Sequence, residues 1–175
     1  MSNQCKCGGP KWSPEEWKMS KEQHEINNCY NYVFDKKIKL GERNEKVQPG
    51  IWKSTKKYNK TDCTEIIEKV KKDFSNIRIN KLDSIDDEII CTNYKIALVI
   101  DNIGSKIDYH FYRQDDNGNW SHKLGNNKIS NIDASGNIIT NPEKADRNYD
   151  KMNNDEFNYD TFCGYYSVPY NIFKN

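Results

Sequence analysis

The hydrophobic period changes once along this chain, between Phe74 and Glu88, and that change constrains the fold more than any other feature. Upstream, Ile66, Ile67, Val70 and Phe74 recur at helical spacing behind Thr61-Asp62-Cys63-Thr64-Glu65, which supplies a cap and an acidic first turn. Downstream, Glu88 to Cys91, Lys95 to Ile100 and Ile107 to Arg113 read as strands, and Asp116-Asn117-Gly118 turns the chain into Asn119 to Lys123. Phe162 to Val168 closes as a last strand. Helices followed by hairpin-linked strands specify an α+β domain, N-terminal helices packed on an antiparallel sheet.

A chain of 175 residues is one domain with a sizeable core. Residues 1–20 read as an arm anchored by Trp12 and Trp17, and 21–175 as the domain. Ser13-Pro14-Glu15-Glu16 has the cap, proline and acidic turn of a short helix. A further helix starts near Asn28, capped by Asn27 or Asn28, and stops before Gly41. The segment from Asn141 to Asn158 reads as a polar loop.

The net charge of +1 argues against a dedicated nucleic-acid binder. Residues 53–81 carry nine basic and four acidic side chains, residues 133–160 seven acidic and three basic, and both read as solvated surface. The longest apolar run, Ile96 to Ile100, is far too short to span a bilayer. Met1 to Pro10 lacks the apolar centre of an export signal, which makes the cytosol, or a particle assembled there, the expected compartment. In that compartment the cysteines at 5, 7, 29, 63, 91 and 163 are expected as free thiols. Cys5-Lys6-Cys7 has no second cysteine pair to complete a tetrahedral metal site, so neither metal nor cofactor is expected.

Chemistry concentrates on Cys29 and His110. A thiol becomes a strong nucleophile when a helix N-terminus or an imidazole stabilises its thiolate, and the same N–H groups can hold an oxyanion. Cys29 lies at the expected helix start, and the chain has only three histidines to serve it. With a turn centred on Asn117, residues 112 and 122 oppose each other, so His110 and His122 share a face. His122 is then placed to orient His110, with Asp108 and Asp133 as competitors; Asp133 also reads as a local turn cap. His24 is expected at the surface. The competing reading of Cys29 is a small buried hydrophobe, and that of His110 a hydrogen-bonded core histidine.

Cysteine at a helix start, histidine on one strand and a polar residue on the next resembles the NlpC-type branch of papain-like cysteine peptidases and amidases. The resemblance covers about residues 23–169 and rests on that order plus the blocks Tyr109-His110-Phe111-Tyr112-Arg113-Gln114-Asp115 and Trp120-Ser121-His122-Lys123. Those blocks also resemble uncharacterised proteins of bacteria and large DNA viruses. A long insertion between Cys29 and His110 departs from the compact members. The resemblance implies a papain-like fold and a thiol hydrolase acting on a protein or peptide substrate. Cys29 would attack, His110 shuttle the proton and His122 orient it, while Gln23 has the spacing of the papain oxyanion glutamine. The alternative is a non-enzymatic structural or interaction protein on the same fold, in a virus particle among other settings. Tyr149, Tyr159, Tyr165, Tyr166 and Tyr170 would give it a binding face, or else pack the core.

Overall fold

The computed structural model describes residues 8–52, 62–102, 107–150 and 157–170. The expectation for Cys5-Lys6-Cys7, and the parts of the two charged stretches at 53–61 and 151–156, lie outside the described residues.

Among the described residues three short helices precede a sheet: α1 (Lys21–Ile26), α2 (Cys29–Val33) and α3 (Cys63–Asp73). The strands are β1 (Asn80–Leu82), β2 (Asn93–Asp101), β3 (Asp108–Gln114), β4 (Trp120–Lys123), β5 (Ile129–Ser130) and β6 (Thr161–Pro169). They form one antiparallel sheet in the order β1-β6-β2-β3-β4-β5, so the domain is α+β. Ser13 to Glu16 forms turns rather than a helix, and Glu88 to Cys91 precedes the strand that begins at Asn93.

β2 lies in the middle of the sheet and is buried along its whole length, which explains why Ile96 to Ile100 is apolar without alternation. Its neighbours carry the two faces. Ile96, Leu98, Ile100, Phe111, Tyr166 and Val168 pack against Tyr30, Val33, Phe34, Ile66, Val70 and Phe74 of the helical side. Ala97, Val99, Tyr112, Trp120 and Tyr165 pack on the other side against Ile139, Tyr149 and Tyr159. These last three come from the segments between β5 and β6, whose described residues form the second layer.

Where β6 meets β2, Leu98 pairs with Gly164 but Val99 pairs with Phe162, leaving Cys163 as the extra residue of a bulge. Gly164 takes φ 138° there, a region that glycine enters without penalty. The bulge sends Cys163 to the helical side, where it forms a disulfide with Cys63 at the start of α3, the Cα atoms 5.3 Å apart. Cys91 is also disulfide-bonded. The expected set of free thiols is therefore corrected; among the described cysteines Cys29 alone is free.

Candidate functional site

α2 begins where the asparagines direct it. The Asn28 side chain accepts from the Asn31 amide at 3.2 Å, and the Asn31 side chain reaches back to the Asn28 amide at 3.4 Å. Cys29 is thus the first helical residue. The Asn31 N–H is already occupied by the cap, and the Tyr32 N–H bonds the Asn28 carbonyl at 3.1 Å. Several donors of the helix start are thus already taken.

The thiol of Cys29 packs among the helical-side residues and takes a hydrogen bond from the Phe111 backbone. Consecutive strand residues point to opposite faces, so the His110 ring goes the other way. It meets Tyr112, His122 and Tyr159. Among the described residues no hydrogen bond joins Cys29 to His110. Burial, followed by the nearby Asp108 charge, pushes the Cys29 pKa up to about 12, the reverse of the shift an activated nucleophile needs. Cys29, His110 and His122 are 6%, 1% and 2% exposed. A recess of about 240 Å³ bordered by Lys46, Asp108, Gly125 and Tyr159 lies near, yet none of the three lines it.

The histidines do come together. β3 and β4 pair with Tyr112 opposite His122, the expected register, and His110 Nε2 lies 2.8 Å from His122 Nδ1. His122 Nε2 is 3.1 Å from the Ile132 carbonyl, which can only accept, so that nitrogen carries the proton. Its Nδ1 then accepts from the Nε2–H of His110. Both rings are neutral in this chain of bonds. Burial holds the His110 pKa well below its ordinary value, with His122 and Lys123 adding to the effect, and brings that of His122 down to about 4. Tyr159 stacks on His110 and Tyr112 on His122, while the Tyr112 and Tyr149 hydroxyls lie 3.2 Å apart.

The other candidates have local duties. Gln23 is the third residue of α1, and its side chain accepts from the Ser20 amide at 3.2 Å while Ser20 Oγ accepts from the Gln23 amide at 3.3 Å. It closes a capping box. Asp133 accepts from the Ser135 and Asn137 amides at 3.0 and 2.9 Å, as its turn position suggested. Asp108 accepts from the Tyr159 hydroxyl at 2.8 Å. His24 is half-buried.

Two fully buried cations escaped the sequence reading. Arg113, fully buried, bonds Asp115 at 3.0 Å, Asp35 at 2.9 Å, and the Tyr32 and Lys11 carbonyls at 3.2 Å each. Its guanidinium also sits 4.0 Å from the centroid of the Tyr32 ring, so one side chain ties the N-terminal segment, α2 and the β3–β4 turn together. Lys123 donates to the Asn27 and Gly125 carbonyls at 2.7 Å each, and burial brings its pKa down to about 7. The alternation of β3 and β4 already placed both opposite the histidines, on the side of the helices.

No family model matches the chain, and no solved structure matches it. It is 35% identical over 137 residues to insoluble matrix shell protein 1 of Ruditapes philippinarum, covering 78% of this chain and 81% of that protein. The chain belongs to the family of that protein. This kinship overturns the NlpC-type peptidase resemblance and with it the thiol-hydrolase reading, because the relative is named as a matrix protein and not as a peptidase. It also overturns the expectation of a cytoplasmic or virion protein. No helix among the described residues is long and apolar enough to cross a membrane.

Proposed function

We propose that the chain is a non-enzymatic structural protein of an extracellular insoluble matrix. The observation that carries this reading is the 35% identity to a shell matrix protein across most of both chains. The chemistry of the site supports it. A disulfide joins α3 to β6, which suits an oxidising compartment, and the free thiol is buried and held protonated. The papain-like layout, a helix start laid against an antiparallel sheet, belongs to the same reading: α2 meets β3 at Cys29 and Phe111, and the contact serves packing. Cys29 acts as a small hydrophobe, and the His110–His122 pair as a hydrogen-bonded core element.

Fractionation of the source tissue with an antibody against this chain tests the reading. The protein is expected in the extracellular residue that resists salt and detergent. Recovery in the soluble cytosolic fraction would overturn it. Likewise, Cys29→Ala is expected to leave the distribution unchanged.

A further inference from the structure

The hairpin that joins β3 to β4 ends in the triplet Asn119-Trp120-Ser121. Asn-x-Ser or Asn-x-Thr, with any middle residue but proline, is the acceptor for N-linked glycosylation of exported chains, and it is used where the asparagine stands in a surface turn or loop. Asn59-Lys60-Thr61 is a second such triplet and lies outside the described residues.

The setting of Asn119 separates it from other asparagines of the chain. Asn28, Asn31, Asn117 and Asn141 use their side-chain oxygens to accept from backbone N–H groups. The Asn27 side chain is buried and bonds the Ile38 backbone. Asn119 holds its turn by backbone alone: its N–H donates to Asn117 Oδ1 at 2.9 Å, and its carbonyl accepts from the Asp115 N–H at 2.9 Å. Its side chain makes no hydrogen bond among the described residues. Asn119 is partly exposed, beside the exposed Asp116, Asn117 and Gly118, and a Cβ placed on Gly118 would meet nothing within 4 Å. The turn thus leaves room for a bulky substituent and has no use for the amide that the substituent would consume.

We propose that Asn119 carries an N-linked oligosaccharide. This rests on the extracellular reading above, because the transferase meets only exported chains. In the transfer, Asn119 Nδ2 attacks the anomeric carbon of a lipid-diphosphate-linked oligosaccharide. A C–N bond forms, the anomeric C–O bond breaks, the lipid diphosphate leaves with the bonding electrons, and one amide proton passes to a base of the transferase. Nothing is oxidised or reduced. Trp120 and Ser121 are fully buried in the fold, with Ser121 Oγ 2.6 Å from the Tyr32 hydroxyl. The triplet is therefore open to a transferase before β4 packs against α2, and afterwards only its asparagine remains at the surface. A glycan there covers the β3–β4 turn and keeps that end of the sheet out of close protein contacts.

Peptide mapping of the protein from its source tissue, after peptide N-glycosidase in oxygen-18 water, tests the assignment. Asn119 is expected to appear as aspartate carrying the heavy oxygen, and a control without the glycosidase separates this from spontaneous deamidation at Asn117-Gly118. Asn119→Gln, made in a secreting host, should lose the mass of one glycan, while the thermal midpoint after glycosidase treatment stays that of the unaltered chain. The mapping decides the matter if the variant is not secreted. Extracellular protein with Asn119 unmodified, including protein labelled at Asn59 alone, would overturn the proposal and leave the extracellular reading standing. Cytosolic protein with Asn119 unmodified would overturn both.

Discussion

On the helical side of the sheet, polar groups sit around an apolar cluster and a disulfide locks it, whereas on the other side two histidines and several tyrosines are the centre of the packing. The helical side draws on aliphatic and phenyl groups from three helices, with the Tyr30 hydroxyl tied to Asp73 at 2.7 Å and that of Tyr94 to the Val33 carbonyl at 2.7 Å. The loop-built side has few aliphatic groups to contribute. It fills its volume with rings whose nitrogens and hydroxyls bond one another or the Asp108 carboxylate. A layer made of helices can be stapled by one covalent bond. A layer made of loops needs a polar network to fix it, and such a network is stable only while its members keep the protonation state that satisfies every bond. The two faces should therefore fail under different conditions.

The largest effect belongs to the staple. Cys63 and Cys163 are separated by 100 residues, and removing a cross-link that closes a loop of that size costs about 4–5 kcal/mol in the chain-entropy model. Cys63→Ala with Cys163→Ala should lower the urea midpoint accordingly at any pH from 5 to about 8. A loss below about 1 kcal/mol would remove the disulfide from the support of the helical face.

Acid should act on the other face. Both histidines have folded pKa values depressed below 6.5, so the unfolded chain takes up protons that the folded one refuses. Their stabilisation is complete above pH 6.5 and is lost as the pH falls toward the folded values. From pH 6.5 to about 5 His122 gives up about 2 kcal/mol, and His110 adds to the loss in the same direction. Nearer pH 4 Asp108, whose pKa burial raises, works in the opposite sense. Denaturant curves at half-unit intervals check this, and a flat profile over that window would break the contrast between the faces. His122→Phe sharpens it: the Ile132 carbonyl and His110 Nε2 lose their partner, costing about 2 kcal/mol at pH 7, while the acid sensitivity shrinks. The smallest change is Tyr112→Phe. It removes one hydroxyl contact of 3.2 Å with Tyr149, and about 1 kcal/mol or less should follow in thermal melts.

The parts of this molecule that were legible in the sequence are those set by neighbours. Asn28 and Asn31 cap α2 through bonds three residues apart, and the turn at Asn117 sets Tyr112 opposite His122. The same turn therefore brings His110 and His122 to one face. What was not legible depends on distant partners. No local pattern pairs Cys63 with Cys163, and the bulge that turns Cys163 toward α3 appears only once β6 lies against β2. The face of the sheet that receives Cys29 was likewise hidden. The helix start and the strand were both located, but the insertion between them left open whether the thiol would meet His110; in the fold it bonds the Phe111 backbone instead. Arg113 read as one more charge in a strand because Lys11, Tyr32 and Asp35 converge on it only in three dimensions.

The central claim is that Cys29 is a packing thiol of a structural domain. Brief iodoacetamide labelling of the native chain at pH 7.5, followed by peptide mapping, tests it most directly. With the thiol buried and its pKa raised to about 12, Cys29 should stay unlabelled in the folded state and react only at the rate at which the domain opens, rising with denaturant. Rapid, denaturant-independent labelling of Cys29 in the native chain would show an accessible thiolate and contradict the account.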